Sequence, residues 1–234
     1  MTKQQDIIEK IKTKGYTRVI LRPSTHENEK IKSLTECRSI IEQCKVSMRG
    51  WDFPHIDRDL HGNDQSFVFS GTDWSRYKEL WRFYQSGQFV YLGGLYEDWE
   101  NETVGLFGPQ DHSLGFKGYA IDGNLYRFTE ILEFAARLVP KGVFDGLVNV
   151  EITLFDTADR RLFFYERGRH LVQEAKSMMS EIKFEKAYTE DEVLTRGHEI
   201  AVEIAQFFFE RFNWQNLRIE VLRELQHKFI SGRY

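Results

Sequence analysis

The chain has 234 residues, of which 41% are hydrophobic and 15% aromatic, enough to build a sizeable core in one large domain or two small ones. Its net charge of −4 and pI of about 6.0 exclude a global basic field that would draw it onto nucleic acid. Its apolar runs are too short to span a bilayer, and the first residues lack the apolar segment of a signal peptide. We therefore expect a cytoplasmic protein without a membrane partner.

Hydrophobic spacing in the first hundred residues predicts both helices and strands. Apolar residues every three or four positions indicate a helix, and alternation of polar and apolar residues indicates a strand. Tyr77, Leu80, Trp81 and Tyr84 follow the helical spacing, and Gly87 comes at the expected helix end. The predicted elements are helix 3–14, strand 17–22, helix 29–46, strand 65–70, a helix carrying residues 77–84, and strand 88–95.

The rest of the chain predicts fewer strands and more helix. The Gly- and Asp-rich residues 97–124 predict loops with one or two strands. Thr189 and Glu192 have the spacing of a capping box at the start of a long helix. The predicted elements are helix 127–139, a hairpin of strands 147–155 and 162–165, helix 169–186, the long helix from residue 190, and a final helix that carries residues 217–229.

This order of elements predicts the fold class. Strands and helices do not alternate strictly, which favours an α+β fold with a mixed or antiparallel sheet over a parallel α/β fold. We expect a core domain of residues 1–188 and a C-terminal helical segment of residues 189–234 that packs on it as part of one structural unit.

The chain carries no complete signature for a catalytic, metal or cofactor site. It lacks a Gly-rich phosphate loop, a Gly-x-Ser-x-Gly elbow and the His-Glu-x-x-His and Cys-x-x-Cys patterns, so we predict no cofactor. Cys37 and Cys44 fall on the apolar stripe of helix 29–46 and are expected to be buried thiols. Imidazole and carboxylate groups come close only in pairs, which are not a metal site: His55 with Asp57, Asp111 with His112, and His170 with Glu174.

Residues 48–57 read Met-Arg-Gly-Trp-Asp-Phe-Pro-His-Ile-Asp and are the densest cluster of unusual residue types. The segment follows helix 29–46 directly, so we expect it at a helix exit. Asp52 can accept backbone hydrogen bonds and pair with Arg49, a purely structural role. Trp51 requires burial or a partner, and His55 could act as a general base assisted by Asp57.

Aromatic residues concentrate next to this cluster, since four of the five tryptophans lie within residues 51–99. Most of these rings are expected to form an aromatic core, but Trp51 and Trp74 are predicted to lie in loops. Our leading hypothesis is therefore a non-enzymatic module that binds a protein partner or a small ligand. The predicted binding residues are Arg49, Trp51, Asp52, His55, Trp74, Arg82 and Gln85.

Two other hypotheses remain. One is a metal-dependent hydrolase or nuclease-like enzyme that uses His55, Asp57 and Asp73. The other is a homo-oligomer formed through residues 190–230, because Phe207, Phe208 and Phe209 are consecutive and cannot all face one core on a helix.

Three phrases resemble a group of uncharacterised bacterial proteins over about residues 16–166. They are Met-Arg-Gly-Trp-Asp-Phe-Pro-His-Ile at 48–56, Leu-Trp-Arg-Phe-Tyr-Gln-Ser-Gly-Gln-Phe-Val at 80–90, and Phe-Thr-Glu-Ile-Leu-Glu-Phe-Ala-Ala-Arg-Leu at 128–138. Members of the group look like stand-alone domains or companions of Schlafen-like AlbA-type DNA-binding modules. This chain lacks a recognisable AlbA-type segment, so DNA binding does not carry over. The resemblance implies a bacterial cytosolic accessory or sensing domain linked to defence or regulation.

Overall fold

The computed structural model describes residues 3–100, 104–105, 108–109, 115–166, 168–215 and 217–232. The helices are α1 (Lys3–Ile11), α2 (Leu34–Cys44), α3 (Ile121–Leu138), α4 (Glu190–Glu210) and α5 (Ile219–Ile230). The strands are β1 (Tyr16–Arg22), β2 (His61–Asn63), β3 (Phe67–Trp74), β4 (Tyr77–Tyr84), β5 (Phe89–Gly94), β6 (Val104–Gly105), β7 (Gly108–Pro109), β8 (Gly118–Ala120), β9 (Leu147–Phe155), β10 (Arg161–Phe163) and β11 (Glu181–Thr189).

A seven-stranded sheet forms the centre, in the order β11-β9-β1-β5-β4-β3-β2. Every neighbouring pair in it is antiparallel. The short strands β6 and β7 pair with each other, and β8 pairs with β10. The predicted α+β fold with helices at the C-terminus is confirmed.

Helices pack on the sheet and bury its apolar side chains. α2, α3 and α4 share one continuous hydrophobic core with the sheet, in which Val19 and Leu21 of β1 are fully buried. α1 forms a smaller cluster, in which Ile7 and Ile11 pack with Leu80 of β4. Within the described ranges, no helix has both the length and the apolar character needed to cross a membrane.

Local sequence signals at two helices are confirmed. The side chain of Thr189 accepts a hydrogen bond from the backbone N–H of Glu192, and the carboxylate of Glu192 accepts one from the backbone N–H of Thr189, which is the predicted capping box. Cys37 and Cys44 are buried, free thiols on α2. Burial and then the nearby Glu36 raise the pKa of Cys37 to about 11, so its reactive thiolate is scarce near neutral pH.

The helix predicted to carry residues 77–84 is wrong, because these residues form β4. The strand is central in the sheet, and four consecutive residues, 78–81, are buried. A strand covered on both faces loses the alternation of polar and apolar residues that identifies a half-exposed strand. The helical spacing of its apolar residues was therefore coincidental.

Two further predictions in the second half are wrong. β9 lies between β1 and β11, and β10 pairs in parallel with β8, so residues 147–165 do not form a hairpin. The buried Arg160 bonds to the Asp98 carboxylate and to the carbonyl of Gly118, and these contacts hold the chain after Asp156 away from β9. Residues 168–180 contain no helix, and 181–189 form β11.

The three consecutive phenylalanines of α4 are all covered by this chain. Phe208 and Phe209 are fully buried, and the ring of Phe207 packs edge-on against Phe184 of β11 at 5.0 Å. An intermolecular contact is therefore not needed to cover Phe207. The hypothesis of an interface through residues 190–230 loses the observation that motivated it.

Candidate functional site

Residues 46–53 form a closed loop directly after α2. The backbones of Val46 and Phe53 exchange two hydrogen bonds, with N···O distances of 2.7 and 2.8 Å, and the ring of Phe53 is fully buried. Asp52 accepts hydrogen bonds from Lys45 Nζ, at 2.8 Å, and from the Ser47 hydroxyl. Burial opposes the ionisation of Asp52, but these bonds outweigh it and lower its pKa. Asp52 thus fixes the loop, but its partners are the side chains of Lys45 and Ser47; the predicted pair with Arg49 is wrong, because Arg49 binds Glu130.

This loop places Trp51 and His55 against the hairpin of β3 and β4. The Trp51 ring is stacked on both His55 and Tyr77, with centroid separations of 3.9 and 4.0 Å. Trp74 lies nearly parallel to Trp51 and Tyr77, at 6.0 and 5.9 Å and an interplanar angle of 9° to each. We call Trp51, His55, Trp74 and Tyr77 the aromatic stack.

Trp74 presents this stack to solvent, since its side chain is 62% exposed. It pairs with Tyr77 across a two-residue turn, in which Ser75 adopts a φ of +50°. Arg76 completes the turn, and its guanidinium lies 5.7 Å from the centre of the Tyr77 ring. The tip of the hairpin therefore combines an exposed indole with a cation.

A buried carboxylate holds the stack from below. Glu79 is 2% exposed and accepts hydrogen bonds from Trp51 Nε1 and from the Tyr91 hydroxyl, both at 2.7 Å. Gly93 lies opposite Glu79 in the sheet, and a Cβ atom there would lie 2.3 Å from the Tyr91 hydroxyl oxygen. Glycine at this position therefore leaves room for the hydroxyl that binds Glu79.

A second buried carboxylate binds two arginines. Glu130 of α3 is fully buried and accepts hydrogen bonds from Nε and Nη2 of Arg49, each at 2.9 Å. Nη1 of Arg127 lies 3.5 Å from the same carboxylate without a hydrogen bond to any described residue. Nη2 of Arg127 donates to the Tyr96 hydroxyl, and the guanidinium packs 5.2 Å from the centre of the Phe53 ring.

A small cleft opens beside these groups, next to the start of α3. Its volume is about 40 Å³, and a single water needs roughly 10–15 Å³, so the cleft fits one small polar group. Glu97 lines it and accepts a hydrogen bond from the backbone N–H of Ala120. Burial raises the pKa of Glu97 to about 7. The polar lining residues are Thr17, Arg49, Tyr91, Tyr96, Glu97, Asn124, Arg127 and Tyr165.

Arg82 and Gln85, which were predicted to bind ligand, lie apart from the aromatic stack. The guanidinium of Arg82 covers the ring of Phe67 at 4.9 Å, and its Nε donates to the side chain of Gln4. The side-chain amide of Gln85 donates to the carbonyl of Ile31. The predicted set therefore divides: Trp51, His55 and Trp74 are in contact, Arg49 lines the cleft, and Asp52 fixes the loop.

The alternative catalytic residues are each held by other groups. Asp57 accepts two backbone N–H bonds from the turn that follows it, and Asp73 pairs with Lys10 and the buried Lys78, each at 2.8 Å. Burial opposes ionisation of both carboxyls, but these bonds lower both pKa values. No described hydrogen bond joins His55 to either one. Across the described residues, no three His, Cys, Asp or Glu side chains gather as a metal site requires.

A larger groove, of about 580 Å³, lies elsewhere, between residues 168–175 and residues 213–215, 218 and 221. His170 and Glu174 line it, but they lie on irregular chain and not on the predicted helix. Asp111 and His112, the other predicted pair, lie outside the described residues. We favour the smaller cleft because buried charged groups converge on it.

The protein thus has an α+β fold in which a charged cleft lies beside an aromatic stack. No family model matches the chain. The searches of curated proteins and of solved structures found no match either. The function must therefore be argued from the geometry of the site.

Sequence reasoning missed the charged residues beneath the stack. Arg127 and Glu130 are three positions apart on a helix whose neighbouring residues are mostly apolar. Charged side chains are seldom buried unless they are paired. Two charged residues on a mostly apolar helix are therefore a sequence signal for a buried ion pair. Glu79 was hidden because its strand was interpreted as a helix.

Proposed function

We propose that this protein is a non-enzymatic module that binds a small molecule with a planar ring, which stacks on Trp74. One observation carries the proposal: the Trp74 indole is 62% exposed and lies parallel to two rings that are already stacked. An exposed ring of this kind offers a planar ligand a face on which stacking contributes about 1–3 kcal/mol.

The rigidity of the surface supports this proposal. Trp51 is fixed by its bond to Glu79, and the backbone carbonyl of His55 accepts a hydrogen bond from Trp81 Nε1 at 2.6 Å. A surface that is already ordered loses little conformational entropy when a ligand binds, so more of the stacking energy appears as affinity. The resemblance to bacterial proteins implies an accessory or sensing role. Ligand binding at this surface would be a chemical basis for that role.

The experiment is a calorimetric titration of two neutral probes, adenosine and indole, into the wild type, Trp74→Ala and Trp214→Ala. Trp214 lines the larger groove, so it is a matched control for the loss of a tryptophan. We expect Trp74→Ala to weaken binding about 5- to 150-fold, which corresponds to the stacking energy. We expect Trp214→Ala to bind as the wild type does.

The outcomes separate the alternatives. Because Trp74 is exposed, its substitution should change the free energy of unfolding by no more than about 0.5 kcal/mol, and a thermal melt checks this. If Trp74→Ala bound both probes like the wild type, or if binding were lost in Trp214→Ala instead, the proposal would be wrong. Failure of both probes to bind the wild type would also count against it.

A further inference from the structure

One cationic side chain beside the aromatic stack, that of Arg76, has no ion pair with a carboxylate among the described residues. We propose that the ligand carries an oxyanion, either a carboxylate or a phosphate, which binds between Arg76 and the cleft while the planar ring stacks on Trp74. This inference rests on the proposed function, because it describes another part of the same ligand.

Arg76 is the first argument. Its side chain is half-buried, and within the described part of the chain no carboxylate lies in ion-pair distance of it. Its guanidinium is instead held against two rings, 5.7 Å from the centre of Tyr77 and 5.8 Å from that of Tyr96. A half-buried cation is incompletely solvated, so a ligand anion would find here a charge that the described protein does not neutralise.

Arg127 is the second argument. It is 9% exposed, and its Nη1 atom is buried without a hydrogen bond to any described residue. A buried donor that lacks an acceptor is unfavourable, and more so when the group is charged. Because Arg127 lines the cleft, a ligand oxygen there could accept this bond. Nη1 of Arg49 likewise takes no part in the described pair with Glu130.

Tyr96 connects the two arginines and the two parts of the site. The guanidinium carbons of Arg76 and Arg127 each lie 5.8 Å from the centre of its ring. The Tyr96 ring also meets Tyr77 of the aromatic stack edge-on at 5.1 Å. One ligand of modest size could therefore reach both the stack and the cleft.

The balance of charge favours a ligand with a net negative charge. Arg49, Arg76 and Arg127 bring three positive charges to this region and Glu79 and Glu130 bring two negative ones, which leaves one positive charge in excess before Glu97, and Glu100 on the Tyr165 hydroxyl, are counted. Glu97 opposes an anion when it is ionised. Its pKa of about 7 means that this opposition is only partial near neutral pH.

The test compares each neutral probe with an anionic counterpart: adenosine with adenosine 5′-monophosphate, and indole with indole-3-acetate. Titrations use the wild type, Arg76→Met and the control Arg58→Met. Arg58 is an exposed residue, so its substitution removes the same charge without removing any side chain of the aromatic stack or the cleft. Arg49 and Arg127 are avoided because their buried contacts with Glu130 make unfolding a risk.

We expect at least one anionic probe to bind about 10- to 100-fold more tightly than its neutral counterpart, the gain from a charge-assisted hydrogen bond. Arg76→Met should remove most of this gain, so that the anionic and neutral probes bind that variant about equally, and Arg58→Met should retain the gain. The two anionic probes show whether the site prefers a phosphate or a carboxylate.

Each other outcome overturns a particular claim. If anionic and neutral probes bound equally and both depended on Trp74, the oxyanion site would be wrong and the proposed function would stand. If Arg58→Met lowered the gain as much as Arg76→Met, the effect would be one of overall charge, and the oxyanion site would again be wrong. If no probe depended on Trp74, the proposed function itself would fail.

Discussion

Substitution of Arg49 by Met should strongly destabilise the fold. The Arg49 side chain is 15% exposed and that of Glu130 is 0% exposed, and the two form a bidentate pair with both distances at 2.9 Å. Removal of one partner from a buried ion pair costs about 3–5 kcal/mol, because the other charge stays buried. Arg127 remains 3.5 Å from Glu130 and offsets part of this cost, so we take the lower end, about 3 kcal/mol.

Urea denaturation with linear extrapolation measures this change. For a chain of this size, about 3 kcal/mol corresponds to a fall in Tm of roughly 6–12 °C. Lys228→Met is the control, because the described ion pairs of Lys228, with Glu166 and Glu224, are solvent-accessible and such pairs contribute little to stability. If Arg49→Met lost no more stability than Lys228→Met, the buried pair would not support the site as argued.

The remaining predictions concern the cleft, the sheet, a helix cap and metal. The affinity for indole-3-acetate should rise as the pH falls from 8 to 6, because Glu97, with a pKa of about 7, then loses its negative charge. Glu97→Gln should flatten this profile, and a profile that kept its slope would contradict the role of Glu97. Gly93→Ala should displace the Tyr91 hydroxyl from Glu79 and weaken the binding of adenosine, and an affinity equal to that of the wild type would refute this. Thr189→Ala should cost about 0.5–2 kcal/mol in urea denaturation because it removes the cap of α4, and a loss below 0.3 kcal/mol would be too small for a cap. Metal analysis should find no stoichiometric, EDTA-removable ion, whereas such an ion would favour the metal-dependent hydrolase hypothesis.

Local patterns predicted much of the fold. More and less buried residues alternate along β1, and β5 comes directly after the turn at Gly87. The capping box of α4 lies within four residues of sequence. β4 could not be predicted in this way because burial on both faces removed its alternation. The partners of β9 and β10 depend on contacts between distant segments, which the spacing within one segment does not encode.

The candidate site was only partly predictable for the same reason. The proximity of Trp51, His55 and Trp74 followed from their unusual density in the sequence. The pair of Arg49 and Glu130 joins residues 81 positions apart, which no local pattern reveals. The residues beneath the aromatic stack lie on β4, β5 and α3, which are neighbours only in the folded protein.

The most direct test of the central claim is an NMR titration of the indole Nε1–H resonances with indole-3-acetate. The chain has five tryptophans, which single substitutions assign. A ligand stacked on the exposed ring should shift the resonance of Trp74 most and that of Trp51 less, and should leave Trp214 unchanged. A shift of Trp214 alone, or equal small shifts of every exposed indole, would contradict binding at the aromatic stack.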